Sequence, residues 1–362
     1  MSTTGLRKGY LDWLRGIAVL IMIEAHLLDS WTRFSDRHSS EFTYAVILGG
    51  FGAPLFLFLA GVAVPLSAGS KFRRSGDAAA AGAAVARRGL AIYGLALLFR
   101  VQAWILGWGS PRTLLKVDIL NIMGPSIAFA GLLWRSMHTR GARVAVFAIA
   151  TVATAFVTPV VRALDVIKQL PDPLAAYISP VPGLSNFVFL PWMGFVFAGG
   201  LVGLVLDAAR TVERERQANV ILAIAGSATA MLAYGASFLP SPYAASGFWT
   251  TSPAFFLMRV GILTAAIPAA YLWACRPGGE TSWSPLRQLG RTSLFIYWIH
   301  VEMIYGLISL DLHRSLTWEQ VWIAYVLFTL FVLLCSIAKE RLMATRPVWQ
   351  PSDRLQRRGA QG

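Results

Sequence analysis

The chain has 362 residues, 56% of them apolar or aromatic and only 14% charged; soluble domains carry about 25% charged residues, so a water-soluble globule is excluded. Lys and Arg total 32 against 18 Asp and Glu, a net charge of +14. The basic residues stand in short clusters between apolar runs, the pattern of membrane orientation signals and not of a nucleic-acid surface. Mean hydropathy is +0.57, and apolar runs of nearly twenty residues recur throughout, so the expected class is all-α, a polytopic integral membrane protein.

Ten spans are predicted, near residues 13–30, 44–66, 89–108, 117–134, 144–161, 187–206, 220–239, 254–274, 293–310 and 320–337. Breakers mark the joints: Gly109-Ser110-Pro111, the stretch from Pro171-Asp172-Pro173 to Pro182-Gly183, Pro240-Ser241-Pro242 and Pro277-Gly278-Gly279. The first run follows Asp12 and Arg15 and has no small-residue cleavage site after it, so it is expected to remain as the first span. The longest loop, 163–186, is proline-rich and is expected to cover one face of the bundle. Residues 10–338 then form a single transmembrane domain and 339–362 a basic cytoplasmic tail.

Loops on alternate sides divide the basic residues 22 to 7, with Arg15, Arg100 and Arg259 inside spans. That bias puts both termini in the cytoplasm and the protein in the cytoplasmic membrane. Cys275 and Cys335 fall in different predicted helices without a second ligand nearby, so they read as small buried hydrophobes and no metal site is expected. Gly49-Gly50-Phe51-Gly52 precedes a span and not a strand–helix turn, which argues against a dinucleotide fold.

Ionisable groups inside a membrane are costly, which makes each one a functional candidate. The first span holds most of them: Asp12, Arg15, Glu24, His26 and, at its end, Asp29. The eleven steps from Arg15 to His26 amount to about 20° after whole turns, so both project from one face, with a rise of about 16 Å between them. Asp29 and Asp12 each stand three residues from a partner, His26 and Arg15, and Asp29 is expected to orient the imidazole. Glu24 points about 200° away and is expected to pair with a neighbouring helix. On this reading a cation near the cytoplasmic mouth holds an anionic head group, and a neutral imidazole deeper in takes a proton. The plainer alternative is a snorkelling anchor and a histidine bonded to a carbonyl.

Asp118, with Asn121 one turn on, opens the fourth span from the non-cytoplasmic side; both are candidates to face an arriving acceptor, and helix capping is the alternative. In the ninth span His300 is a candidate lining residue, whereas Glu302 points elsewhere. Arg291 to His300 echoes Arg15 to His26, but nine residues give about 180° and no repeat follows. Arg100 and Arg259 are expected to pair with acidic groups or carbonyls within the bundle. On the cytoplasmic side Arg15, Arg87, Arg88, Arg287 and Arg291 are candidate phosphate ligands, against the simpler role of topology signals.

The run Asp12-Trp13-Leu14-Arg15-Gly16-Ile17-Ala18, followed by His26, resembles the opening of the transmembrane acyltransferase superfamily. In its acyltransferase-3 branch, an Arg or Lys followed after ten residues by the catalytic His is the signature. The segments from Gly50 to Gly61, Val117-Asp118-Ile119-Leu120, and Leu289 to Tyr297 are more similar to the heparan-alpha-glucosaminide N-acetyltransferase catalytic domain and its bacterial relatives. In the human lysosomal enzyme of that type an asparagine matches His26 and the active histidine lies in the following loop, where this chain has His38. The resemblance therefore offers two candidate bases, and the helix geometry ranks His26 first.

Together these features lead to the expectation of an acyltransferase. Acyl-CoA, most simply acetyl-CoA, serves as cytoplasmic donor; His26 or His38, assisted by Asp29, acts on a hydroxyl or amine of an outward-facing glycan or similar polar acceptor. Arg15, Arg88, Asp118, Asn121 and His300 are the expected substrate-binding residues, and the lipid bilayer is the other partner. A transporter or flippase with midplane charges, or a non-catalytic membrane subunit, are the rival readings.

Overall fold

The computed structural model describes residues 8–107, 110–244, 246–276 and 283–344. Arg7, part of the Gly109 and Pro277-Gly278-Gly279 breakers, and the expected tail from 345 onward, with Arg346, Arg354, Arg357 and Arg358, lie outside the described residues. No strand occurs among those described. The helices are α1 (Gly9–Trp31), α2 (Ser40–Gly49), α3 (Gly52–Ser75), α4 (Ala78–Leu106), α5 (Ile119–Ser136), α6 (Arg140–Arg162) and α7 (Asp172–Ile178). They continue with α8 (Phe189–Ala208), α9 (Val212–Ala236), α10 (Phe248–Thr251), α11 (Pro253–Ala274), α12 (Pro285–Arg291), α13 (Ser293–Tyr305) and α14 (Trp318–Ala344).

Local chemistry sets many of these boundaries. Ser39, Asp77, Thr139, Thr211 and Ser252 stand at helix starts and accept hydrogen bonds from backbone N–H groups that have no partner within their helices. Gly76, at φ +70°, closes α3 in the left-handed region and lets Asp77 begin α4 one residue later.

By length and apolar composition seven helical segments can cross a membrane: α2 with α3, then α4, α6, α8, α9, α11 and α14. The other three predicted spans fall on α1, which carries four ionisable residues beyond its first turn, on α5, which is interrupted by Asn121 and Pro125, and on α13. At 13 residues, α13 is about 20 Å long against a hydrocarbon core of about 30 Å. The predicted ninth span is thus discontinuous: α13 stops at Gly306 and a 3₁₀ turn, Leu307–Leu312, completes it. The second is hinged as well, between Gly49 and Gly52. Irregular backbone at such depth is tolerated where it is packed in protein or lines a cavity, and both breaks do line one.

The last helix runs on to Ala344, so Lys339 and Arg341, the first basic residues of the expected tail, continue it. Two further expectations need correction. Cys275 is exposed and Cys335 half-buried, because Cys275 caps the end of α11 and Cys335 lies toward the outer side of α14.

Large apolar side chains cover the outer faces of α6, α9 and α14, Ile149, Leu232 and Leu334 among them, as a lipid-facing surface requires. Between helices lipid offers no hydrophobic driving force, so close packing of small residues takes over. A Cβ on Gly61 would strike the Val196 carbonyl, and one on Gly199 the Phe58 carbonyl, which draws α3 and α8 into backbone contact. Gly16 and Gly290 do the same for α1 and α12, meeting Leu286 and Asp12. That second seam places Arg15 beside Arg291.

Candidate functional site

Two cavities adjoin inside the bundle. The smaller, about 280 Å³, lies at the Arg15 end of α1 and is lined by Asp12, Arg15, Arg88 and Arg291, with Ala60, Ala63 and Ser67 of α3 forming a small-residue wall. The larger, about 1460 Å³, lies toward the Asp29 end and is lined by His26, Asp29, Arg100, Asp118, Arg259 and Tyr297, among others. Phe56, Met123, Ser293 and Leu294 belong to the walls of both.

In α1 the expected geometry holds. The helix is unbroken from Gly9 to Trp31, and Arg15 faces the small cavity while His26 faces the large one. Arg15 Nη1 donates to Asp12 Oδ1 at 2.8 Å, the predicted pairing. Arg88 and Arg291 join Arg15, whereas Arg87 and Arg287 are not lining residues.

His26 is bonded differently from the expectation. Its Nδ1 lies 2.8 Å from Nε2 of His300, not against Asp29. His300 is fully buried behind it, and Nδ1 of His300 lies 2.8 Å from the Ile296 carbonyl oxygen. A carbonyl only accepts, so His300 Nδ1 carries the proton and its Nε2 is the acceptor; Nδ1 of His26 must then donate. With both rings neutral, the bonding pattern assigns a lone pair to His26 Nε2 at the chamber wall. The rings are nearly coplanar, 7° apart. His300 therefore supports His26 and does not itself line the chamber.

Asp29 is bonded to a neighbour of His26 instead. Its carboxylate accepts from the Tyr305 hydroxyl at 2.9 Å, and the Tyr305 ring packs edge-on against His26 at 5.5 Å between centroids. His38 is exposed at the end of a 3₁₀ turn, Phe34–His38, and is absent from the chamber lining. Next to it the carboxyl of Asp36, held by Arg33, Ser35 and the Trp318 N–H, stays below the usual carboxylate range.

Asp118 is both a helix cap and a lining residue of the larger cavity. It caps α5, accepting from the Ile119 N–H, while Asn121 accepts from the Asp118 N–H in return. Its other oxygen accepts from Arg100 Nη2 at 2.7 Å and from the Tyr297 hydroxyl at 3.2 Å, at the chamber wall. Arg100 is thus paired as expected. Asn121 is buried and turns away from the chamber to Tyr177 of the 163–186 loop, so it is not placed to meet an acceptor. Burial, reinforced by a hydrogen bond with Tyr93, pushes the Tyr177 phenol up. The same loop brings Ser185 and Asn186 to the chamber.

Glu24 departs from expectation: both its carboxyl oxygens are buried without a hydrogen-bond partner among the described residues. Tyr297 and Tyr305 received no role from the sequence; only their aromatic type in a helix with His300 could have drawn attention. Among the described residues no three His, Cys, Asp or Glu side chains gather as a metal site.

The fold and this site define a polytopic helical membrane protein with two adjoining cavities in the bundle and a histidine pair at the wall of the larger. Residues 7–234 match the family described as heparan-alpha-glucosaminide N-acetyltransferase, catalytic, and the chain belongs to that family. It is thereby a member of a membrane acetyltransferase family. The match answers to the heparan-type part of the resemblance and does not show the acyltransferase-3 pattern of Arg15 and His26. It ends within α9, so Arg259, Arg291 and His300 lie beyond it. A comparison with curated proteins gives no match.

Proposed function

We propose that the protein transfers an acyl group, most simply acetyl, from cytoplasmic acetyl-CoA to a hydroxyl or amine presented in the larger cavity from the opposite side of the cytoplasmic membrane. The proposal takes ten crossings, with α1, α5 and α13 completed by their neighbours, and both termini inside. The observation that carries it is His26 in the wall of the roomier cavity, which shares Phe56, Met123, Ser293 and Leu294 with the arginine-lined one.

Arg15, Arg88 and Arg291 then take the donor's phosphates through planar, charge-assisted forks. The small-residue wall of Ala60, Ala63 and Ser67 leaves a slot for the pantetheine arm. About 16 Å of α1 separates Arg15 from His26, a distance that arm is long enough to bridge. In the chamber His26 Nε2 removes the proton from the acceptor as its oxygen or nitrogen bonds to the thioester carbonyl carbon. The carbon–sulfur bond then breaks, and the departing thiolate takes that proton from His26 to give free coenzyme A. Asp118, held by Arg100, and the 163–186 loop shape the acceptor's approach.

The test uses the full chain in lipid nanodiscs with acetyl-labelled coenzyme A and a panel of amino sugars and polyols. Transfer of label, or slow release of acetate without acceptor, supports the reading, and His26→Ala should lose roughly 10²–10⁴-fold. Inertness toward acetyl-CoA together with solute flux in proteoliposomes would replace it with a transporter. In cells, acetylation of envelope glycans should disappear both in a deletion strain and in a His26→Ala strain; a change confined to a cytoplasmic metabolite would refute the outward-facing acceptor.

A further inference from the structure

Four cations line the large chamber, and two are already engaged. Arg100 is ion-paired with Asp118. Arg37 donates to the backbone carbonyls of Leu28, Asp29 and Thr32 at the end of α1. Arg259, on α11, is different. It reaches the chamber wall beside the Gly49–Gly50 hinge, where a Cβ on Gly50 would stand 3.5 Å from its Nη2. Its Nε is buried without a hydrogen-bond partner, and no ion pair engages it among the described residues. The chamber's carboxylates offer it nothing: Asp29 serves Tyr305, Asp118 serves Arg100, and Glu302 makes no ion pair with it.

Aromatic rings fix how this guanidinium is presented. Its carbon lies 4.1 Å from the centroid of Phe255 and 6.0 Å from that of Phe51. Such contacts hold the planar group by its face and leave its edge, with the paired N–H donors, for a ligand. A charge withdrawn from water inside a protein is stabilised by an opposite charge or full hydrogen bonding, and this one has neither among the described residues. Gly49 packs against Ala25, the residue before His26, so the free edge and the proposed base share one stretch of wall.

We infer that Arg259 binds an oxyanion, a carboxylate or a phosphate, carried by the molecule that occupies the large chamber. Resting on the acceptor reading above, this assigns the acceptor to the anionic class: an acidic sugar, a sugar phosphate or a phosphate-linked lipid carrying the group to be acylated. The planar fork meets either oxyanion in two parallel hydrogen bonds, and His26, on the same stretch of wall, meets the acyl-accepting group of the same molecule.

The test reads binding without any donor, so that it stands or falls apart from acyl transfer. Full-length protein in phosphatidylcholine nanodiscs is titrated calorimetrically with glucose, glucose 6-phosphate and glucuronate. At least one of the two acids should bind about ten- to hundredfold tighter than glucose. Arg259→Gln should remove that preference and Arg259→Lys retain part of it, with the thermal midpoint of each variant showing that the fold survives. Repeating the titration in nanodiscs containing phosphatidylglycerol separates the sources: Arg259-dependent competition identifies a lipid headgroup phosphate, and its absence a solute. Wild-type protein with no preference for the acids overturns the inference. So does a preference untouched by Arg259→Gln, or one abolished instead by Arg88→Gln, which would place the anion in the small cavity.

Discussion

Nε2 of His300 stands 2.8 Å from Nδ1 of His26, across 274 residues of sequence. That bond, with the Ile296 carbonyl behind it, fixes which nitrogen of His26 holds a proton. His300→Ala should leave His26 in place but release its tautomer and orientation, lowering turnover about 10²-fold, the scale on which small misplacements act. Because the pair works as a unit, the His26→Ala/His300→Ala double variant should be no slower than His26→Ala alone. Single-turnover rates with labelled acetyl-CoA measure both, and multiplicative losses would mean that the two histidines act separately.

His38 is exposed and away from the chamber. His38→Ala is expected to keep turnover within about twofold of wild type in the same assay. A loss on the scale of removing a general base, roughly 10²-fold or more, would transfer the basic role to the loop.

The donor side makes a kinetic prediction. Arg88→Gln and Arg291→Gln should each raise the apparent KM for acetyl-CoA about ten- to hundredfold, the worth of one charge-assisted contact, with kcat changed much less. Arg15→Lys should fall between wild type and Arg15→Ala, since it keeps charge without the planar fork. Arg74, exposed at the end of α3 and outside the cavity, is the control; equal effects from Arg74→Gln would reduce the cluster to a general surface field.

Arg100 and Asp118 form a largely shielded ion pair at 2.7 Å. Asp118→Ala removes one partner and a helix cap together and should destabilise the protein by about 3–5 kcal/mol. Arg100→Met/Asp118→Leu should recover part of that loss because no charge remains unpaired. Thermal unfolding in detergent compares them, and a double variant as unstable as Asp118→Ala would leave the cap as the dominant contribution.

Reporter fusions test the crossing pattern. Fusions after residues 80, 140 and 212 should read cytoplasmic, and those after 37, 175 and 314 outside. Two adjacent mismatches would show that one of α1, α5 or α13 fails to cross.

Periodicity was readable wherever a helix ran unbroken. Arg15 and His26 keep their helical spacing because α1 is continuous from Gly9 to Trp31. The same arithmetic does not extend from Arg291 to His300. It assumed one helix, but Thr292, at φ −105° and ψ 14°, breaks the rotation between α12 and α13. Partnerships between distant helices left no trace in local spacing: His26 with His300, Asp29 with Tyr305, Asn121 with Tyr177. Asp29 was assigned to His26 on nearness along the chain, and the neighbouring aromatic won the carboxylate instead. Loop residues such as Ser185 depend on how the 163–186 segment folds back, which no periodic pattern reports.

The seam shared by the two cavities is mostly greasy: Phe56, Met123 and Leu294, with Ser293 the polar exception. An apolar constriction is a poor conductor of hydrated ions, which shed their water there only at great expense. The thin, uncharged pantetheine arm of a thioester, with its two amides, meets a far smaller penalty than a hydrated ion. Under the proposed function the bundle would pass the acyl group from one cavity to the other and still insulate the membrane. On that reading any substitution that makes this seam polar, Met123→Asp for instance, would open it to ions.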